Sequence, residues 1–196
     1  MSKYKNPSDI KNHSQIKLYE NKIGFNEYNA VSDWHKIMPK IYLGNMGSAK
    51  DKQFFKNKNI KAVLNVTNTV PNYFNSNDIE YMRIPVEDSL KVYDYNKMYQ
   101  FLQIAADFIY KHAILQKEAI LIQCVAGRQR SAICIAAFLV KYKNMTPYEA
   151  CKFIMERRHE SFHFGLSLNF EQSLNEFYKD IKKCEFKYRE PKFTPY

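Results

Sequence analysis

Within eight residues the chain places a nucleophile, a flexible turn and a guanidinium: Cys124-Val125-Ala126-Gly127-Arg128-Gln129-Arg130-Ser131. A tight loop of successive backbone N–H groups that runs into a helix makes a cradle for a tetrahedral oxyanion, because the first four N–H groups of a helix have no partner inside it. Gly127 admits a backbone conformation closed to other residues and lets the loop approach a ligand. The positive field at the start of such a loop favours Cys124 as thiolate, the nucleophilic form. Arg130, six positions on, closes the loop and can clamp two phosphate oxygens with its planar fork, which lysine cannot copy. Together these residues describe phosphoryl transfer to sulfur, with Ser131 donating a hydrogen bond that eases the later departure of the sulfur. The backbone from Val125 through Ala126, Gly127, Arg128 and Gln129 to Arg130 is the expected phosphate-binding loop, and Lys91, Arg128 and Arg158 are candidates for its substrate rim. Cys-x5-Arg-[Ser/Thr] arises by chance in about one chain in a hundred, before any requirement for a strand and a helix around it.

Displacing an alkoxide or phenoxide requires a proton donor on a separate segment above the cradle. Asp88, just beyond a strand-like run, is the candidate, with Glu87 beside it and Asp94 further on as rivals.

The cradle must be held by a strand before it and a helix after it. Residues 119–122 (AILI) form a short continuous apolar run, the mark of a strand covered on both faces, and AICIAAFLVKY follows the loop as an apolar helix. Further strands are expected at KIYLG (40–44), at 60–66 and at 79–86. Helices are expected after Ser48, read as a capping serine with Asp51 three residues on, and after Asp94, where Met98, Phe101, Leu102, Ile104, Ala105, Phe108 and Ile109 recur at helical spacing. Thr146-Pro147-Tyr148-Glu149 is a capping box that opens a helix over 147–159, on which Arg157 and Arg158 form a solvated face. A last helix over 168–183 buries Phe170, Leu174, Phe177 and Ile181. Strands alternating with helices of this length predict an α/β fold with a central, mainly parallel sheet of four to five strands flanked by helices, and ligands in such sheets sit at the carboxyl ends of strands. The expected division is a polar N-terminal arm over 1–34, a catalytic domain over 35–184 and a C-terminal tail over 185–196.

Composition narrows the classes. With 196 residues, 45% apolar, one folded domain is expected. The longest apolar run, 132–140, is far short of the roughly 18 to 20 residues that span a bilayer, and the first ten residues have no secretory pattern, so a cytoplasmic protein is expected. Four cysteines without CxxC pairing argue for reduced thiols, and the five histidines do not join them at zinc-ligand spacing. The net charge of +10 is mostly lysine scattered along the chain. It favours anionic partners, but no nucleic-acid-binding motif accompanies it, and nucleic acid is a minor reading.

These segments resemble the dual-specificity phosphatases of the cysteine phosphatase superfamily. The likeness rests on Cys124-x5-Arg130-Ser131 after a buried strand, Asp88 roughly 36 residues upstream, Ile41-Tyr42-Leu43-Gly44, Ser48-Ala49-x-Asp51, Val63-Leu64-Asn65-Val66 and Ile84-Pro85-Val86-x-Asp88, and covers about residues 36 to 178. It implies that Cys124 is the nucleophile, Arg130 the phosphate clamp, Asp88 the acid and Ser131 the helper. It also implies a mechanism without metal or cofactor, and a shallow cleft that accepts phosphoserine, phosphothreonine and phosphotyrosine in proteins. Two positions depart from the family pattern: Gln123 stands where a histidine usually precedes the cysteine, and Ser167-Leu168-Asn169-Phe170 replaces Pro-Asn-x-x-Phe. Ala126-Gly127-Arg128 also resembles the cradles of phosphoinositide and phosphatidylglycerophosphate phosphatases, although Val125 stands where those relatives carry a second base. An RNA 5′-triphosphatase and, from a different class, a phosphate-binding module with little turnover are the remaining alternatives. The arm offers a surface for a homodimer or a cover for the cleft.

Overall fold

A computed structural model of the chain describes residues 32–87, 92–162 and 167–188. Five strands, β1 (Trp34–Met38), β2 (Ile41–Gly44), β3 (Ile60–Asn65), β4 (Glu80–Arg83) and β5 (Ala119–Gln123), form one sheet in the order β1-β2-β5-β3-β4. β1 is antiparallel to β2, and the other pairings are parallel. The expected α/β architecture with a mainly parallel sheet is therefore present. β5 lies at its centre, so β2, β3, β4 and β5 all end on one edge, at Gly44, Asn65, Arg83 and Gln123. The loops that leave these four ends meet there, which is where a parallel sheet offers a site.

Two apolar layers hold the sheet. Side chains alternate across a strand, and β5 sends Ile120 and Ile122 to one face and Ala119 and Leu121 to the other. The first face packs on α3 (Val92–Tyr110) and α4 (Arg130–Lys143), and α5 (Pro147–Met155) and α6 (Leu168–Tyr188) pack on those helices to complete the same core. The second packs on the short helices α1 (Met46–Lys50) and α2 (Lys52–Lys58), through Ala49, Phe54 and Phe55. Helix α4 is buried without interruption from Ser131 to Val140, as expected of a helix apolar on all sides. It is clasped to α3 by Asp107, which pairs with Lys141 and accepts from Tyr142 Oη at 2.6 Å. Among the described residues, no helix is long and apolar enough to cross a membrane.

Several local expectations are corrected. Ser48 does not cap a helix: Asn45 caps α1 by accepting from the Gly47 and Ser48 N–H groups, Asp51 caps α2 by accepting from Phe54 N–H, and Ser48 is buried within α1. A short polar side chain caps only where the backbone is extended, and here Asn45 and Asp51 have that conformation. Asp94 lies in the first turn of α3, two residues inside its start, and Ile104 is exposed because the buried stripe of α3 runs through Met98, Leu102, Ala105 and Ile109. Helix α5 stops at Met155, four residues before the expected end, and α6 continues to Tyr188, into the expected tail. β1 was not expected, and it draws Trp34 from the arm into the sheet. The rest of the arm, residues 1–31, lies outside the described residues.

The capping box of α5 is complete: Thr146 Oγ1 accepts from the Glu149 N–H and Glu149 Oε2 accepts from the Thr146 N–H at 2.8 Å. Thr146→Ala is expected to cost about 1 kcal/mol and to lower the melting temperature by about 2–4 °C, with no change in turnover. An unaltered melting curve would show that the box contributes nothing.

Candidate active site

Cys124 follows β5 and continues its alternation, so its side chain falls on the same face as Ile120 and Ile122, toward α4. It is 2% exposed. Two donors converge on its sulfur: the Gly127 N–H and the Ser131 hydroxyl, each at 3.2 Å. Ser131 sits in the first turn of α4, so the start of that helix meets the sulfur.

The loop between them is shaped from outside. The Val125 carbonyl accepts from the Met46 N–H at 3.1 Å, the Gly127 carbonyl from Arg158 Nε at 2.9 Å, and the Arg128 carbonyl from the Phe162 N–H at 3.1 Å. In a trans amide the C=O of one residue and the N–H of the next point in opposite directions. Holding these three carbonyls outward therefore turns the N–H groups of Ala126, Arg128 and Gln129 to the concave side, where Gly127 N–H already meets the sulfur. The result is a bowl of amide hydrogens open to an oxyanion. Gly127 is indispensable to it: its φ is +65°, and a Cβ there would lie 2.6 Å from the Gly44 carbonyl carbon and oxygen.

Arg130 opens α4 and reaches across to the segment after β4, donating from Nη1 to the Val86 carbonyl at 3.2 Å. The guanidinium thus spans from the loop toward the stretch that carries Asp88. Asp88 and Lys91 themselves lie outside the described residues. Glu87 is exposed and meets Asn68 Nδ2 at 3.4 Å; Asp94 is buried, 3% exposed. Val125 and Ala126 are exposed on the loop, while Arg128, Gln129 and Arg130 are half-buried. Gln129 Oε1 accepts from Ser167 N–H at 3.4 Å, which ties the loop to the start of α6.

Arg158 requires a correction. It lies on no solvated face and on no substrate rim: it is 0% exposed, packed beneath the loop. Arg158 stays on the face that α5 buries: it lies seven, four and three residues after the buried Cys151, Ile154 and Met155, and its N–H donates to the Ile154 carbonyl at 2.9 Å, as the chain turns under the loop. Arg157, by contrast, is exposed and covers the Phe153 ring. Burial pushes the Arg158 guanidinium below its ordinary pKa, and the charges of Glu160 and Cys124 act in the opposite sense.

Gln123, at the end of β5, is 0% exposed, and neither its Oε1 nor its Nε2 has a hydrogen-bond partner among the described residues. It points away from Cys124, on the face of Leu121. Cys134 and Cys151 are buried in the helical core, and burial raises the thiol pKa of both, that of Cys151 to about 12. Cys184 is exposed on α6.

Sequence reasoning missed the three groups that hold the loop's carbonyls. Two of them, the N–H groups of Met46 and Phe162, are backbone and leave no trace in residue type. The third, Arg158, had one signal: unlike Arg157, it falls at helical spacing from the apolar Cys151, Ile154 and Met155. A buried Phe162 with φ of +57° marks the turn that carries this support, but only the structure reveals it.

The family model described as "Dual specificity phosphatase, catalytic domain" matches residues 41–180. Dual specificity protein phosphatase 16 of Homo sapiens is 31% identical over 147 residues, which cover 75% of this chain and 21% of that protein. Dual specificity protein phosphatase 9 of Homo sapiens is 29% identical over 144 residues, covering 71% of this chain and 36% of that protein. The chain thus spans well under half the length of these relatives. Among solved structures, that of human DUSP28 matches with a TM-score of 0.67 at 17% identity, covering 77% of this chain and 96% of that one, a likeness of fold.

Two substitutions test the site's construction. Gly127→Ala is expected to weaken binding of inorganic vanadate at least tenfold and to destabilise the fold by about 1–3 kcal/mol, read by competition and by thermal melting; wild-type affinity would show that the loop does not need its left-handed residue. An unpartnered buried amide costs about 1–3 kcal/mol, so Gln123→Met, of similar volume, is expected to melt at or above the wild-type temperature. A clear fall would reveal a partner for the amide.

Proposed function

This chain belongs to the dual specificity phosphatase family, and from that premise we propose that it hydrolyses phosphotyrosine and phosphoserine or phosphothreonine in proteins through a phosphocysteine intermediate. The observation that supports this reading most is the convergence of the Gly127 N–H and the Ser131 hydroxyl on Cys124 Sγ, each at 3.2 Å, at the foot of a bowl of amide hydrogens. A sulfur that accepts two hydrogen bonds in such a field is an acceptor held ready as a nucleophile.

In the first step Cys124 Sγ attacks phosphorus, an S–P bond forms, and the P–O bond to the substrate breaks. The bowl and the Arg130 fork take up the charge on the three equatorial oxygens, and Asp88 gives its proton to the departing oxygen. In the second step Asp88, now a carboxylate, takes a proton from water as the water attacks phosphorus. The S–P bond breaks, inorganic phosphate leaves, and Ser131 supports the sulfur that carries away the electron pair. The link from Arg130 Nη1 to the Val86 carbonyl supports this division of labour, since it ties the clamp to the backbone two residues before Asp88.

Val125, exposed and apolar directly after the nucleophile, favours a protein substrate over an inositol phospholipid, for which a base at that position is expected. A reducing, cytoplasmic setting and a homodimer formed through the N-terminal arm belong with this reading as proposals; free cysteines at 124, 134, 151 and 184 are consistent with the first.

Cys124→Ser is expected to abolish vanadate-sensitive hydrolysis of an aryl phosphate, and Arg130→Ala to slow it by about 10²–10⁴. Asp88→Asn should slow phosphopeptide hydrolysis by about 10²–10⁴ but an activated aryl ester, whose leaving group needs little protonation, by much less. Turnover that survives in the serine variant would reject the mechanism, and equal slowing of both substrates would move the acid elsewhere. A panel of phosphopeptides, inositol phospholipids and triphosphate-ended RNA separates the substrate classes.

A further inference from the structure

Arg158 is the largest of the fully buried side chains among the described residues, and the two chemical steps above give it no part. A buried guanidinium is costly unless its donors are matched, so the partners of Nε and Nη1 carry information; Nη2 has no hydrogen-bond partner among the described residues. Nε donates to the Gly127 carbonyl at 2.9 Å. Nη1 donates to the Ser32 carbonyl at 2.9 Å and to His35 Nδ1 at 2.8 Å. The Glu160 carboxylate stands 3.8 Å from Nε, too far for a hydrogen bond. One planar fork thus joins the phosphate-binding loop to the backbone before β1 and to a side chain on β1, a geometry that a lysine ammonium cannot reproduce.

We propose that Arg158 is a positioning residue for phosphoryl transfer: by holding the Gly127 carbonyl outward it keeps the Arg128 N–H aimed at the transferring phosphoryl group, and Ser32 and His35 hold Arg158 in that pose. The proposal rests on the reading of Cys124 as nucleophile. Its physical core is the rigidity of the amide plane: a carbonyl released by Arg158 is free to rotate, and the N–H of Arg128 rotates with it. His35 serves as acceptor only while its Nδ1 is unprotonated. Burial and the adjacent Arg158 charge both hold the imidazole below its usual pKa, and of the other charges near it Glu160 acts against this and His159 with it. Arg158 in turn feels Glu160, Cys124, Arg128 and Asp33. The cation beneath the loop also gives the sulfur a fixed positive neighbour, at a site where the neutral Gln123 supplies none.

A donor that improves its aim as charge develops is worth more to the transition state than to the ground state. Vanadate, which adopts the transition-state geometry, reports on that difference when set beside inorganic phosphate. The test measures inhibition by both oxyanions, kcat and KM for an aryl phosphate, and thermal melting, in wild type, Arg158→Lys, Arg158→Met, His35→Gln and His35→Leu. Both Arg158 variants are expected to lose about tenfold or more in kcat, to bind vanadate about tenfold more weakly and to lose little affinity for phosphate. His35→Gln, which retains an acceptor, should lose less vanadate affinity than His35→Leu. Arg158 variants that melt cooperatively and keep kcat and vanadate inhibition within twofold of wild type would overturn the proposal, as would an equal loss for both oxyanions. If neither Arg158 variant folds, the histidine pair decides: equal vanadate inhibition in His35→Gln and His35→Leu overturns it. Failure of the phosphatase reading is seen separately, as wild-type turnover that is absent or survives Cys124→Ser, and phosphate and vanadate binding then still report on the loop.

Discussion

The site depends on the direction of a few peptide planes. Backbone amides are rigid, so an N–H can be aimed only by controlling the carbonyl on the other side of the same plane. Here that control comes from three remote parts of the chain: the N–H of Met46 at the start of α1, the side chain of Arg158 after α5, and the N–H of Phe162 just beyond it. A loop of this kind cannot shape itself, because its own carbonyls would otherwise compete with the ligand's oxygens for the same side. What makes the bowl is therefore the packing behind it.

The fold supplies that packing at modest cost. β5 is buried on both faces at the centre of the sheet, so the position of Cys124 is set by a strand that is paired along both edges. Helix α4 is buried along ten consecutive residues and directs its N-terminal turn, with Arg130 and Ser131, at the sulfur. Gly127 lets the loop lie against the Gly44–Asn45 backbone, where any side chain would collide. The expensive elements, a buried guanidinium and a left-handed Phe162, sit behind the loop rather than in the cleft. Strain and buried charge of this sort survive only when the surroundings over-determine them.

Much of this was legible in the sequence. The apolar runs that become β3 and β5 announce a covered parallel sheet, the Thr146–Glu149 pair announces a helix start, and Cys124, Gly127, Arg130 and Ser131 carry their chemistry in residue type and spacing. The parts that were not legible depend on what the fold brings together rather than on residue type alone. Arg158 reads as a surface charge by its type, and becomes the loop's support because it falls on the helical face of Cys151, Ile154 and Met155, where the Gly127 carbonyl meets its guanidinium. Asn45 and Asp51, rather than Ser48, cap the helices because their backbones are extended. β1 is a short edge strand of mixed polarity, and its sequence lacks the continuous apolar run that marks β5.

The sulfur at the foot of the bowl is both reactive and shielded by the anion that the bowl is shaped to hold. Selective alkylation by iodoacetamide near pH 6, mapped by mass spectrometry with and without inorganic phosphate, tests this directly. Cys124 is expected to be modified far faster than the buried Cys134 and Cys151 and to be protected by phosphate. A Cys124 as slow as those core thiols, or one whose modification phosphate leaves unchanged, would contradict the account.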